Sequence, residues 1–285
     1  MFKTIWISVV VSFLFLNLSH SLAQTTLEYK VNKGESYDYD MSAIINQTFT
    51  QMGQEMKIDM KLTSDLNLSV TNVAKNITLE MVYRKSMLSM SGMETMGVAD
   101  TTMDASEQLA FKQEYVFTKS GEMVSHKVIE DPKVVLDDQT KMMKQQLTSQ
   151  LKQSTDFIIL KYPSKNLKVG DSWKTTDTIE VSGIKTLRNF THTYVSTKSL
   201  NGINLAELNS KSTSISINGT VNQMGMEMDV RGGMNVEGTS LVNSMTGMLV
   251  SLDMNVTSDL TMSMSSPMEM TIPIELKMIT TIKKK

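Results

Sequence analysis

Two kinds of residue in this chain have the chemistry to act on something else: methionines in close runs and a few histidines. Methionine is abundant, 26 of 285 residues, and cysteine is absent. Met224, Met226 and Met228 alternate in MGMEM; Met262 and Met264 keep the same spacing, as do Met268 and Met270, and Met87, Met90, Met93 and Met96 recur every third residue. Thioethers are soft ligands suited to Cu(I). Residues two apart on one strand, however, stand about 6.6 Å apart along it, whereas directly opposed residues on neighbouring strands stand about 4.5–5.5 Å apart. A three-thioether site therefore requires adjacent strands to bring their methionines into register, and the usual His or Cys companions are missing. We expect no metal and no cofactor, with copper(I) binding as the alternative reading of these runs.

The histidines are His20, close to the start, and His126 and His192 farther on. A histidine alone in a strand is more often a satisfied partner than a base, and no nucleophile–base constellation accompanies either of the latter two. No Gly-x-Ser-x-Gly elbow, His-Glu-x-x-His pair or Walker loop occurs. Asp171-Ser172 follows Gly170 without an activating base; the simpler reading is a turn into a strand that Trp173 anchors. No catalytic residue is assigned, and the chain is expected not to be an enzyme.

The remaining use for methionine is as flexible, polarizable filler or as the lining of an adaptable apolar surface. With aromatic residues at only 6%, a plastic apolar face is expected, open to acyl chains or another apolar ligand. Met60, Met226, Met228, Met254, Met264 and Met270 represent that face as candidate ligand-binding residues.

The elements that would carry such a face are strands. In Ile58–Val70, IDMKLTSDLNLSV, the residues Ile58, Met60, Leu62, Leu66, Leu68 and Val70 share one parity and polar residues hold the other; Met248–Val256 and Met268–Ile282 repeat the pattern. Successive strand side chains point to opposite faces, so these are strands with one buried and one wet face, as in antiparallel sheets. Pro273, which has no N–H, places the last strand at an edge or at a bulge. One helix is expected, over 132–155, capped by Asp131-Pro132 and with Leu136, Met143, Leu147 and Leu151 on one face. A strand is expected over 157–162.

An internal repeat organises the rest. YVFTKSGEMVSHK at 115–127 resembles LVNSMTGMLVSLD at 241–253, and Asn76-Ile77-Thr78-Leu79 resembles Gly202-Ile203-Asn204-Leu205, both at an offset of 126. Lys33-Gly34-Glu35-Ser36-Tyr37 matches Val169-Gly170-Asp171-Ser172-Trp173 at 136, which implies a longer early hairpin near 47–55. The expected fold is mostly β: two related antiparallel β-modules, as one long curved sheet or half-barrel, joined by one amphipathic helix. The boundaries are 24–130 for the first module, 131–164 for the linking helix and strand, and 165–285 for the second.

Residues 1–23 read as a secretory signal peptide: Lys3, an apolar run from Ile5 to Leu16, and Ser21-Leu22-Ala23 before the cleavage position. The run is shorter than the roughly 20 apolar residues a spanning helix needs. Export to the periplasm, the exterior or the cell surface follows. Without cysteine there is no disulfide framework, thiolate metal site or lipidated cysteine. A net charge of −2 gives no electrostatic reason to bind nucleic acid. Trp173 is the one tryptophan after the leader, so the aromatic girdles of a transmembrane barrel are lacking.

The stretch YPSKNLKVGDSW, Tyr162 to Trp173, behind the expected helix and a Gly34-Glu35-Ser36-Tyr37 strand, resembles the signature of a family of uncharacterised exported proteins of Gram-negative bacteria. The resemblance implies a periplasmic or cell-surface setting and brings no activity with it. More loosely, a curved antiparallel sheet with a helix on its concave side is similar in fold to periplasmic lipoprotein carriers. The expected function is that of an exported, envelope-associated, non-enzymatic protein that binds a lipid-like or other apolar molecule. A structural envelope component and a copper(I)-binding protein are the alternatives.

Overall fold

The computed structural model describes residues 24–285 apart from 52–53, 93–98, 108–110, 131–157, 182–183, 224–225 and 265–269. The leader and the helix expected over 132–155 lie outside the described residues, among which there is no helix.

The described residues form twelve strands: β1 (Ser36–Gln51), β2 (Gln54–Val73), β3 (Ile77–Ser91), β4 (Thr101–Asp104), β5 (Phe111–Phe117), β6 (Met123–Glu130), β7 (Ser172–Val181), β8 (Ile184–Leu200), β9 (Ile203–Gln223), β10 (Met226–Asn243), β11 (Leu249–Met264) and β12 (Met270–Lys284). All join one antiparallel sheet in the order β6-β5-β3-β2-β1-β12-β11-β10-β9-β8-β7, with β4 beside β3. The sheet is not closed: β6 and β7 are its edges. The strand alternation is realised as read. Leu252, Met254, Val256 and Ser258 are buried while Asp253, Asn255, Thr257 and Asp259 are exposed, so one face of β11 carries apolar packing and the other carries water.

The repeat reappears as topology. β1-β2-β3-β5-β6 and β7-β8-β9-β10-β11 run in the same order across the sheet, and β12 is the seam that pairs with both β1 and β11. The opening turns share a hydrogen-bond pattern: Gly34 N–H donates to Val70, Glu35 to Asn32 and Val70 to Glu35, while Gly170 donates to Tyr194, Asp171 to Lys168 and Tyr194 to Asp171. The first hairpin is the longer, spanning 36–73 against 172–200 in the second.

Two local expectations need correction. Residues 158–162 form no strand; they cross as a strap. Their polar groups are taken by side chains and turns instead of a ladder: Leu160 N–H donates to the Tyr29 hydroxyl (2.7 Å) and Tyr162 N–H to the Ser120 carbonyl (2.7 Å). β12 is a central strand, not an edge. Pro273 is nonetheless tolerated, because the β1–β12 ladder ends one residue before it, at Phe49 opposite Ile274. At Pro273 the strand has β11 as its one ladder partner, through Thr261, and proline is accepted where a ladder bond is not required.

One end of the curved sheet is plugged by the N-terminal segment and the strap. Leu27, Tyr29 and Val31 are buried there with Ile158, Ile159, Leu160 and Tyr162. Tyr29 meets Phe117 edge-on, with ring centroids 4.9 Å apart, and lies 5.3 Å from the Tyr162 ring. The three phenols of this region are satisfied: Tyr29 donates to the Leu160 carbonyl (3.2 Å), Tyr39 to that of Leu249 (2.8 Å) and Tyr162 to that of Gly247 (2.7 Å). Burial raises the pKa of all three tyrosines well above the usual phenol value. The two repeat turns hold neighbouring residues of the plug, since Tyr29 N–H donates to Lys119 and Lys30 N–H to Thr246. The glycines beside them, Gly121 (φ +85°) and Gly247 (φ +70°), are in the left-handed region, and a Cβ at either would run into a backbone carbonyl, that of Leu160 or Glu28.

Candidate functional site

The strap does not seal the space between the sheet edges. It roofs a cavity of about 380 Å³ floored by strands β7 to β11. The apolar wall is Ile159, Leu160, Phe190, Val236, Leu252 and Met254, and the polar side carries Lys161, Asp177, Arg188 and His192. Inward parity explains the set: Trp173, Thr175 and Asp177 alternate on β7, and Arg188, Phe190 and His192 on β8. Two charged residues thus stand on the face that holds the apolar core.

Those charges compensate one another. Arg188 grips Asp177 with two donors, Nε to Oδ1 at 2.9 Å and a terminal nitrogen to Oδ2 at 2.7 Å, a fork-shaped pairing that fixes both side chains. Lys161 Nζ reaches Asp177 at 3.7 Å and Glu122, in the turn that leads into the other edge strand β6, at 3.5 Å. Lys161 therefore bridges the two edges with a mostly buried ammonium whose ion pairs are long. Next to this cluster, Ser240 is 1% exposed and its Oγ has no hydrogen-bond partner among the described residues. A buried hydroxyl without a partner carries a desolvation cost, and here it lines a cavity.

His192 stands on the floor, 7% exposed. Its Nε2 lies 2.9 Å from Thr175 Oγ1 and its Nδ1 2.8 Å from Ser210 Oγ. The ring stacks on Trp173 and Phe190, at centroid separations of 5.2 and 6.0 Å. Burial is the main reason its pKa falls to about 4; Lys161 adds to the fall, and Asp177 opposes it. The imidazole is neutral at pH 7, each ring nitrogen facing a hydroxyl that can donate or accept. His126 also lines the cavity, stacked on Tyr115 (4.5 Å), with Nε2 2.9 Å from Gln113 Oε1. Asp171 and Ser172 are occupied locally: Asp171 Oδ2 accepts from Lys168 N–H, Ser172 Oγ pairs with Thr193 Oγ1, and Trp173 donates to the Lys161 carbonyl.

The six methionines chosen from the sequence do not form one site. Met254 is in the cavity wall, 2% exposed. Met264 is ten residues farther along β11, about 33 Å away at strand rise. Met60 is half-buried on β2, between Ile45 and Met90. Met226 stands opposite Gln223, while Met264 on β11 is opposite Met228 on β10 and, on its other side, Met270 on β12. Among the described residues no cluster of three His, Cys, Asp or Glu is arranged to hold a metal ion. The residues that periodicity missed are Lys161, Asp177, Arg188, Phe190 and Ser240. The available signal was a charge on an apolar parity, at Asp177 and Arg188.

The model of a family described as "Family of unknown function (DUF6263)" matches residues 120–249, a stretch that includes Tyr162–Trp173 and covers less than half of the 285 residues. No curated protein matches the chain. Among solved structures it is similar to a DUF1329 family protein from Desulfovibrio piger, at 9% identity over 86% of this chain and 83% of that one, with a TM-score of 0.18. The translocator domain of autotransporter NalP from Neisseria meningitidis shows 8% identity over 98% and 96%, TM-score 0.21. A putative outer membrane lipoprotein-sorting protein domain from Vibrio parahaemolyticus shows 9% identity over 86% and 85%, TM-score 0.15. Scores this low carry no argument about fold or function.

Proposed function

We propose that this is a non-enzymatic, exported, envelope-associated protein that takes an apolar or lipid-like ligand into the space beneath its strap. The observation that carries the reading is the cavity of about 380 Å³, apolar on one side and charged on the other. Small-molecule pockets are typically about 300–1,000 Å³, mostly apolar, with a few convergent polar groups. Phe190, Val236, Leu252 and Met254 suit an acyl chain, while Lys161 and the Ser240 hydroxyl suit a carboxylate or another acceptor at its head. An anionic amphiphile meets both walls. Met254 is the one sequence-chosen methionine that this site uses.

Native mass spectrometry of the purified chain with palmitate, and fluorescence titration with a dansyl-labelled fatty acid, test the proposal. A one-to-one complex is expected. Val236→Phe fills the cavity at a cost of about 1–3 kcal/mol in stability, and it should abolish binding in a chain that still melts cooperatively. No complex with either probe, or undiminished binding by a folded Val236→Phe, refutes it.

A further inference from the structure

We propose that Met228, Met264 and Met270 form a thioether site for Cu(I) at the end of the sheet remote from the plug. The inference is independent of the apolar-ligand reading. Met228 is directly opposite Met264 in the β10–β11 register, and Met264 is directly opposite Met270 in the β11–β12 register. Three methionines on three consecutive strands thus share one row, with Met264 in the middle. Directly opposed residues point to the same face with Cβ atoms about 4.5–5.5 Å apart, and each sulfur is two bonds beyond its Cβ on a flexible chain. The sulfurs can therefore converge on one ion, which methionines two apart on a single strand do poorly.

The surroundings favour a soft cation. All three residues are half-buried, so an ion can enter without unfolding the sheet. The neighbouring row on the same face, Val230, Met262 and Ile272, holds no oxygen or nitrogen ligand. Asp229 is exposed and on the opposite parity, as are Thr271 and Glu275. Hard cations need oxygen ligands and find no side-chain oxygen in these two rows, whereas thioethers select Cu(I).

The test is an anaerobic titration of the purified full chain with Cu(I) in competition with bicinchoninate. One Cu(I) per chain is expected at sub-micromolar affinity, with an X-ray absorption spectrum showing sulfur ligands alone. Met264→Leu, which keeps the apolar volume, should weaken binding by roughly tenfold or more, and Met228→Leu or Met270→Leu should do so too. Met60→Leu and Met254→Leu should leave binding unchanged. Melting curves confirm that each variant is folded; should Met264→Leu fail to fold, the two flanking variants and the absorption spectrum decide. The proposal is overturned if the wild-type chain cannot hold Cu(I) against bicinchoninate. It is equally overturned if the folded triple leucine variant binds as well as the parent, or if Met60→Leu matters as much as Met264→Leu.

Discussion

His192 makes the stability of this fold depend on pH in a direction that can be worked out. The folded-state pKa is about 4 against 6.5 for an unperturbed imidazole, and burial is the leading cause. Above pH 6.5 the residue is neutral in both states and contributes no pH dependence. As pH falls below 6.5 the unfolded chain takes up the proton and the folded chain does not, so stability is lost until the folded imidazole titrates near pH 4. At about 1.4 kcal/mol per pH unit the separation between the two values makes a loss of about 3 kcal/mol, to the nearest kilocalorie, over that window. At 7% exposure the residue is little screened by solvent. Charged groups near the ring oppose one another, since Asp177 favours the imidazolium and Lys161 disfavours it.

The assay is urea unfolding of the wild type and of His192→Gln between pH 7.5 and 4. Glutamine keeps a donor and an acceptor for Thr175 and Ser210 but does not titrate. Carboxylates held below their usual range, such as Asp65 beside Lys285 and Glu207 beside Lys198, also destabilise the fold as they protonate. They do so in both proteins and cancel in the difference. The variant is expected to start from a lower stability at pH 7.5 and to close most of the gap by pH 4. Parallel curves, or an NMR titration of His192 centred near 6.5, refute the burial argument.

Two further outcomes follow from the plug. Gly121→Ala and Gly247→Ala each place a Cβ against a carbonyl at positive φ, so each should cost at least about 2 kcal/mol in thermal or urea melts; tolerance of both would mean the turns do not clamp the N-terminal segment. Tyr29→Phe strands the buried Leu160 N–H that the hydroxyl accepts at 2.7 Å, and about 1–3 kcal/mol should be lost by the same measurement.

Much of the architecture was legible in the chain. Alternation in 58–70 and 248–256 identified β2 and β11 and their buried sides, because a period of two has no other structural meaning over that length. The Ser120-Gly121 and Thr246-Gly247 turns were legible because glycine is what positive φ demands. The strap at 158–162 was not: Ile158, Ile159 and Leu160 read as a buried strand, and only the Tyr29 hydroxyl and the Ser120 carbonyl show that their backbone groups are met off the sheet.

The site divides in the same way. Inward parity placed Met254 on the buried face, and parity alone would have placed Asp177 and Arg188 there too. That Lys161 of the strap meets Asp177 of one edge and Glu122 of the other depends on how far the sheet curls. The pairing of Met228 with Met264 and Met270 depends on register. Local sequence determines which side of a strand is apolar, because that is set by neighbours two residues away. Which strands lie side by side, and which residues then face one another, is settled by contacts between segments far apart in the chain, and only the folded sheet contains them.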